Sequence, residues 1–128
     1  MRAPTSELPI LFEDVGVDAK DVRILSEVTL ALRAGAPTVL IGPNGSGKTT
    51  VLRLAMGLLA PSGGRITWCG RGRTDGRRLA MVSQRPVMLR RSAFANVTYA
   101  LGAAGVAWAR RNDRAEELLA RVGLSNQA

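Results

Sequence analysis

The most informative segment of the chain is Thr38-Val39-Leu40-Ile41-Gly42-Pro43-Asn44-Gly45-Ser46-Gly47-Lys48-Thr49-Thr50. Its opening residues are apolar or β-branched, and such a run predicts a short strand buried on both faces of a parallel sheet. The next residues fit the pattern G-x-x-x-x-G-K-[ST] in full. Apolar residues then recur at helical spacing, which predicts a helix with one buried face formed by Val51, Leu54, Ala55 and Leu58. This order of strand, loop and helix predicts an α/β protein with a phosphate-binding loop.

The residue types in this loop suit the binding of a triphosphate. Inward-facing backbone N–H groups and the positive end of the following helix neutralise phosphate charge without long side chains. Gly42, Gly45 and Gly47 are expected to take positive φ angles and to leave no Cβ in the way of the phosphate oxygens. We therefore predict that ATP is bound by the whole loop, that is by Gly42, Pro43, Asn44, Gly45, Ser46, Gly47, Lys48, Thr49 and Thr50.

Three residues at the start of the helix have separate expected roles. The ammonium group of Lys48 is expected to meet the β and γ phosphates and to be catalytic. The hydroxyl of Thr49 is expected to bind Mg²⁺, and Thr50 is expected to contact the α phosphate. The alternative is a plain turn between a strand and a helix, in which glycine and asparagine serve only the backbone conformation.

Shorter patterns predict the remaining elements. Alternation of apolar and polar residues predicts further strands at residues 8–17, 24–32, 65–68 and 79–83. Helical spacing predicts a short helix at residues 93–101 and a longer one at 108–122, with Ala115, Leu118, Leu119 and Val122 on its buried face. The chain of 128 residues is about as long as one domain, so a single apolar core is expected.

Composition excludes several classes of protein and site. The chain is 46% apolar and 22% charged, which is typical of a globular protein and not of a disordered one. No apolar run is long enough to span a bilayer and the N-terminus lacks the pattern of a signal peptide, so a cytoplasmic location is expected. The lone Cys69 excludes an internal disulfide, and without histidine any catalysis would use carboxylates, lysine and bound metal.

The formal net charge of +8 raises the alternative of a nucleic-acid partner. The basic residues are scattered, and the densest group is Arg71, Arg73, Arg77 and Arg78 in a glycine-rich segment typical of a turn. This group has no interleaved aromatic residues and accompanies no nucleic-acid-binding motif. A solvated basic loop is the simpler interpretation, and no nucleic-acid partner is expected.

Four segments of the chain resemble the ATP-binding subunits of ABC transporters. Residues 23–30 look like the strand that precedes the family's phosphate loop, and residues 42–50 look like its Walker A sequence. Residues 57–66 are similar to the turn that follows its helix, and Met81-Val82-Ser83-Gln84 resembles its Q-loop. Together these segments cover nearly the whole length of the chain.

The resemblance implies a fold. It identifies residues 1–128 as an incomplete nucleotide-binding domain of the ABC type, within the P-loop NTPase class. Such a domain has a mixed sheet with an antiparallel part, and the first part of its helical subdomain would comprise about residues 92–123.

The resemblance also implies a function and partners. An ATP-binding subunit of this kind couples ATP binding and hydrolysis to solute transport, on the cytoplasmic face of the cell membrane. Gln84 would be the Q-loop glutamine, with a catalytic role and a contact to Mg²⁺ or the attacking water. Residues 85–91 would meet the transporter's membrane subunit, and a second ATP-binding subunit would complete each ATP site.

Two departures from the family limit what the resemblance implies. No aromatic residue stands near Asp18, Ala19 and Lys20, where the family places the residue that stacks on adenine. Phe12 is the nearest aromatic residue, but it lies within a predicted strand and is expected in the core. The sequence also has no Leu-Ser-Gly-Gly signature, Walker B aspartate, catalytic glutamate or switch histidine. We therefore expect a truncated form that binds ATP but hydrolyses it poorly alone.

Two other interpretations stay open. Another P-loop NTPase, such as a small-molecule kinase, would share the loop but should also show a Walker B aspartate after a second apolar strand. A noncatalytic nucleotide-binding interaction module would instead bind a membrane subunit whether or not nucleotide is present.

Overall fold

The structure, a computed structural model, describes residues 6–74, 76 and 78–124. Arg77 of the basic group and the residues after Leu124 lie outside the described residues. The chain divides into two compact units, residues 1–80 and 81–128. The apolar cluster built on the sheet draws all its members from the first unit. The single core expected from chain length stays a prediction.

The first unit contains a three-stranded antiparallel sheet. Its strands are β1 (Ile10–Ala19), β2 (Val22–Leu32) and β3 (Gly63–Trp68), in the order β2-β1-β3. A two-residue turn at Lys20 and Asp21 joins β1 to β2, so these strands form a hairpin. The three strands confirm the predictions for residues 8–17, 24–32 and 65–68, with shifted ends.

The core lies on one face of this sheet. The buried apolar side chains of β1 form two pairs that each follow the alternation of a strand, Ile10 with Phe12 and Val15 with Val17, and the register of the ladder shifts between the two pairs. Phe12 is 1% exposed, which confirms its expected place in the core.

One helix of the first unit, α1 (Lys48–Ala55), contributes to the same core. Val51, Leu54 and Ala55 are buried as predicted, but Leu58 is 67% exposed because the helix ends at Ala55. The indole Nε1 of Trp68 donates a hydrogen bond of 2.7 Å to the carbonyl of Ala55. This buried bond fixes the end of α1 to β3, since a buried indole N–H needs an acceptor.

Two of the predicted strands, at residues 38–41 and 79–83, are not strands in the structure. Val39 is 75% exposed, Ile41 92% and Val82 91%. Among the described residues neither segment is paired in the sheet, although Leu40 and Leu79 pack against its core. Apolar composition alone does not make a strand, because the backbone groups also need a paired neighbour.

The second unit contains two helices, α2 (Ala93–Ala103) and α3 (Trp108–Arg121). They confirm the helices predicted at residues 93–101 and 108–122. Ala115 and Leu119 of α3 are buried as expected, whereas Val122 lies past the last helical residue and is 68% exposed. None of the described helices combines the length and apolarity needed to cross a bilayer.

Candidate phosphate-binding site

The glycine-rich segment forms a tight loop between residues 38–41 and α1. The amide of Ser46 donates to the carbonyl of Pro43 at 3.3 Å, which closes the turn. Gly45 and Gly47 have φ angles of 81° and 86°, in the region that favours glycine. The loop is not helical, and the helix begins at Lys48, as the phosphate-loop prediction requires.

The prediction of a positive φ is wrong for Gly42, which is not among the residues with positive φ. Space limits this position instead, because a Cβ built on Gly42 would lie 2.7 Å from the hydroxyl oxygen of Ser46. Gly42 therefore lets the two ends of the loop approach each other closely.

The loop packs against β2 at Gly47. A Cβ built on this residue would lie 2.5 Å from Cδ2 of Leu25 and 3.5 Å from the carbonyl oxygen of Ile24. Both conformation and space thus require glycine where the loop turns into the helix. Sequence analysis missed this contact, since Leu25 is far from Gly47 in the chain and no local pattern relates the two.

The start of α1 presents free backbone donors. Gly47 is the N-cap and supplies no side-chain cap, and the first turn contains no acidic residue. The first helical hydrogen bond runs from the amide of Val51 to the carbonyl of Gly47, at 2.9 Å. Within the described chain, hydrogen-bond acceptors are lacking for four amides that share this end of the helix, namely those of Gly47, Lys48, Thr49 and Thr50. This helix end therefore offers N–H groups and positive potential to an anion.

The ammonium group of Lys48 is held across the loop. Its Nζ lies 2.7 Å from the carbonyl oxygen of Gly42 and 2.6 Å from that of Pro43, with the Ser46 hydroxyl at 3.3 Å. The same loop thus carries both the free amides and a fixed positive charge. The hydroxyl of Thr49 is exposed and forms no hydrogen bond with the described residues, so it is available as a ligand.

Gln84 belongs to the second unit and lies in an irregular, exposed segment, not at the end of a strand as predicted. The proposed docking segment, residues 85–91, is exposed as well, and Val87 and Met88 are 92% and 65% exposed. Its end is fixed by Asn96, whose amide hydrogen-bonds the backbone of Leu89 in both directions, at 3.0 and 3.1 Å. Of the predicted site residues, the structure brings together those of the loop, residues 42–50, which all belong to the first unit.

The hairpin that supports the loop ends in an ion pair. Asp18 and Arg23 face each other across the β1–β2 ladder, and the guanidinium donates through Nε to Oδ1 at 2.9 Å and through Nη2 to Oδ2 at 3.4 Å. The hydrogen bond from Arg23 lowers the pKa of the Asp18 carboxyl. Arg65 of β3 pairs with Glu13 in a similar way, with Nε 2.7 Å from Oε2, and lowers the pKa of that carboxyl. Sequence analysis missed both pairs, because the ladder register sets them.

The first unit also contains a cavity of about 490 Å³ away from the loop. It lies beside the end of α1 and β3, and its lining includes Pro61, Trp68 and Arg73. No residue of the segment 42–50 lines it. The phosphate loop is thus not part of this cavity.

Comparison with known proteins gives consistent relatives. Residues 25–128 match the family described as ABC transporter. The taurine import ATP-binding protein TauB of Pseudomonas entomophila is 40% identical over 107 residues, which cover 82% of this chain and 41% of that protein. The methionine import ATP-binding protein MetN of Cereibacter sphaeroides is 39% identical over 113 residues, with 80% and 32% covered. The Fe(3+) ions import ATP-binding protein FbpC of Agrobacterium fabrum is 35% identical over 121 residues, with 91% and 34% covered.

A solved structure also resembles the chain. It is described as the structure of an ATP binding subunit of an ABC transporter, and it superposes with a TM-score of 0.78 at 26% sequence identity. The superposition covers 93% of this chain and 52% of that one. The chain spans 41%, 32% and 34% of the three relatives named above.

Proposed function

Because this chain belongs to the ABC transporter family of ATP-binding proteins, we propose that residues 42–50 bind the triphosphate of ATP. One observation carries the proposal. The free amides at the start of α1 and the ammonium of Lys48 belong to one short loop, and both favour a polyanion. Because Gly42 and Gly47 have no Cβ, the loop can adopt this compact backbone conformation, which places the amides and the ammonium group in one short loop.

The residues of the loop have distinct parts in this proposal. The amides of residues 47–50 hold the phosphate oxygens, and Lys48 neutralises the β and γ phosphates while its carbonyl contacts keep it in place. Thr50 lies one residue further along the helix and is assigned to the α phosphate. The exposed hydroxyl of Thr49 fits a hard cation, since Mg²⁺ takes oxygen ligands, and Mg²⁺ when bound would neutralise further phosphate charge. The assignment of Gln84 to Mg²⁺ or the attacking water stays a prediction.

At the level of the whole protein, we propose an ATP-binding subunit that couples ATP binding and hydrolysis to solute transport. The relatives support this role, because each of the three is named as an import ATP-binding protein. The proposed partners are a second ATP-binding subunit and a membrane subunit that docks on residues 85–91, at the cytoplasmic face. The exposed apolar side chains of Val87 and Met88 support the docking proposal. For the 128-residue chain measured alone, we expect binding of ATP with little hydrolysis.

The substitution Lys48→Ala tests the binding proposal. Loss of a charge-assisted contact to phosphate should weaken binding of Mg²⁺–ATP about 10- to 100-fold, as measured by isothermal titration calorimetry. Arg53→Ala is the matched control, because it removes one positive charge from an exposed position of the same helix at the other end. Arg53→Ala should leave the affinity nearly unchanged. Equal affinities for the wild type and Lys48→Ala, or equal losses in the two variants, would contradict the proposal.

A further inference from the structure

We propose that the cavity beside the end of α1 and β3 binds a small organic anion. The apolar body of this ligand lies against Ile66 and Trp68, and its carboxylate pairs with Arg73. The inference goes beyond the proposed function and does not depend on it, because no residue of the phosphate loop lines this cavity. Neither the family match nor the names of the relatives assign a ligand to this part of the chain.

The cavity has the size and the apolar lining of a site for a small molecule. Its volume of about 490 Å³ lies within the range of about 300–1,000 Å³ that is common for ligand pockets. The apolar side chains come from the turn after α1 and from β3, and they are Leu59, Pro61, Ile66 and Trp68. Ile66 and Trp68 are buried members of the core cluster, so their positions are fixed by packing. A ligand would therefore meet an apolar surface that is already formed.

The ring of Trp68 contributes only carbon atoms to this surface. Its single polar atom, Nε1, donates its hydrogen bond to the carbonyl of Ala55. Its Cζ2 lies 3.9 Å from the position of a Cβ built on Gly57, which also lines the cavity. A flat apolar group can thus pack beside the ring without competing for the hydrogen bond of the indole.

One arginine of the lining has an unmatched charge. Arg65 pairs with Glu13, whereas Arg73 makes no ion pair or hydrogen bond within the part of the chain that the structure describes. The segment that carries Arg73 lies close to the turn after α1, because a Cβ built on Gly57 would be 2.6 Å from Cγ2 of Thr74. A guanidinium beside an apolar surface favours a ligand with a carboxylate, since the planar group can donate two parallel hydrogen bonds to it.

The acidic side chain nearest in contact with this segment is already used by other arginines. Oε1 of the buried Glu7 lies 2.9 Å from Nη2 of Arg71 and 3.7 Å from Nη1 of Arg78. Among the described residues that line the cavity, none is acidic. An anion in the cavity would therefore meet positive charge that no carboxylate neutralises.

The experiment titrates the 128-residue chain with phenylacetate, phenylacetamide and acetate. Phenylacetamide keeps the ring and removes the charge, whereas acetate keeps the charge and removes the ring. Binding is followed in ¹H–¹⁵N correlation spectra by the indole N–H signals of Trp68 and Trp108, which the variant Trp108→Phe assigns. Trp108 belongs to the second unit and is exposed, so its signal reports nonspecific binding to surface rings.

Arg73→Ala and Arg73→Lys are compared with Arg33→Ala, the matched control. Arg33 is an exposed arginine of the first unit that does not line the cavity and has no ion pair with the described residues. The wild type should bind phenylacetate about tenfold more tightly than either other probe, with a saturating shift at Trp68 and none at Trp108. Arg73→Ala should weaken phenylacetate binding about tenfold and remove the preference over phenylacetamide. Arg73→Lys should keep part of that preference, and Arg33→Ala should bind as the wild type does.

The inference is overturned if the wild type binds phenylacetate and phenylacetamide equally well, a comparison that needs no variant to fold. It is also overturned if Arg73→Ala loses no more affinity than Arg33→Ala, or if no probe gives a saturating shift at Trp68. Lys48→Ala should bind phenylacetate as the wild type does, so failure at the cavity leaves the phosphate-loop proposal intact. A loss of phenylacetate binding in Lys48→Ala would place the anion on the loop and would reject the cavity as its site.

Discussion

Gly47 shows how one residue connects the backbone of the loop to the hairpin behind it. Its φ of 86° lies in the left-handed region, and its missing Cβ leaves room for the side chain of Leu25. Gly45, in the same loop, has a similar φ of 81° but nothing within 4 Å of the position of a Cβ. The two glycines thus separate two costs of adding a side chain. At Gly45 only the backbone conformation is unfavourable, whereas at Gly47 the side chain would also lack space.

The pair Gly47→Ala and Gly45→Ala tests this separation. A left-handed backbone costs an L residue about 1–2 kcal/mol, so Gly45→Ala should reduce the free energy of unfolding by about that amount. Gly47→Ala should cost about 2–4 kcal/mol, because Leu25 must also move. Urea denaturation followed by circular dichroism gives both values. Equal costs in the two variants would show that Leu25 does not limit the loop.

At the scale of elements, local sequence patterns predict the helices, the loop and the antiparallel strands, whereas they do not predict which segments pair over long range. The loop and the start of α1 could be predicted because glycines, lysine and threonine lie within nine residues, 42–50. The three strands of the antiparallel sheet and both helices of the second unit have periodicities contained in their own segments. Residues 38–41 and 79–83 have strand composition, but pairing depends on a neighbour that composition does not reveal. The contact of Leu25 with Gly47 escaped prediction for the same reason.

The link between α1 and β3 leads to a prediction about Trp68. Trp68→Phe keeps most of the buried ring but removes the donor to the carbonyl of Ala55, which leaves a buried acceptor unpaired. The expected loss in the free energy of unfolding is about 1–3 kcal/mol, measured by urea denaturation. Trp108→Phe is the control, because Trp108 is 82% exposed and its substitution should change stability little. A loss at Trp68 no larger than that at Trp108 would mean that this bond does not hold the helix end.

At the scale of the whole molecule, the predicted fold class is confirmed. The chain is a partial mixed α/β domain with an antiparallel sheet, and both the family match and the superposed ATP-binding subunit agree with an incomplete ABC-type nucleotide-binding domain. The boundaries assigned within it, with the phosphate loop at 42–50, the Q-loop near 84 and the helical subdomain from about 92, stay predictions. Activity and partners of the complete relatives remain proposals for this chain, which spans 32% to 41% of their lengths in the three named cases.

The most direct test of the central claim is to observe the loop amides while the ligand binds. In a titration of the ¹⁵N-labelled chain with Mg²⁺–ATP, ¹H–¹⁵N correlation spectra report each backbone N–H group separately. Binding by main-chain donors predicts that the largest shifts occur at residues 47–50 and saturate together, because these amides acquire phosphate acceptors. Saturating shifts centred on the cavity beside Trp68 and Arg73, with the amides of residues 47–50 unmoved, would contradict the claim.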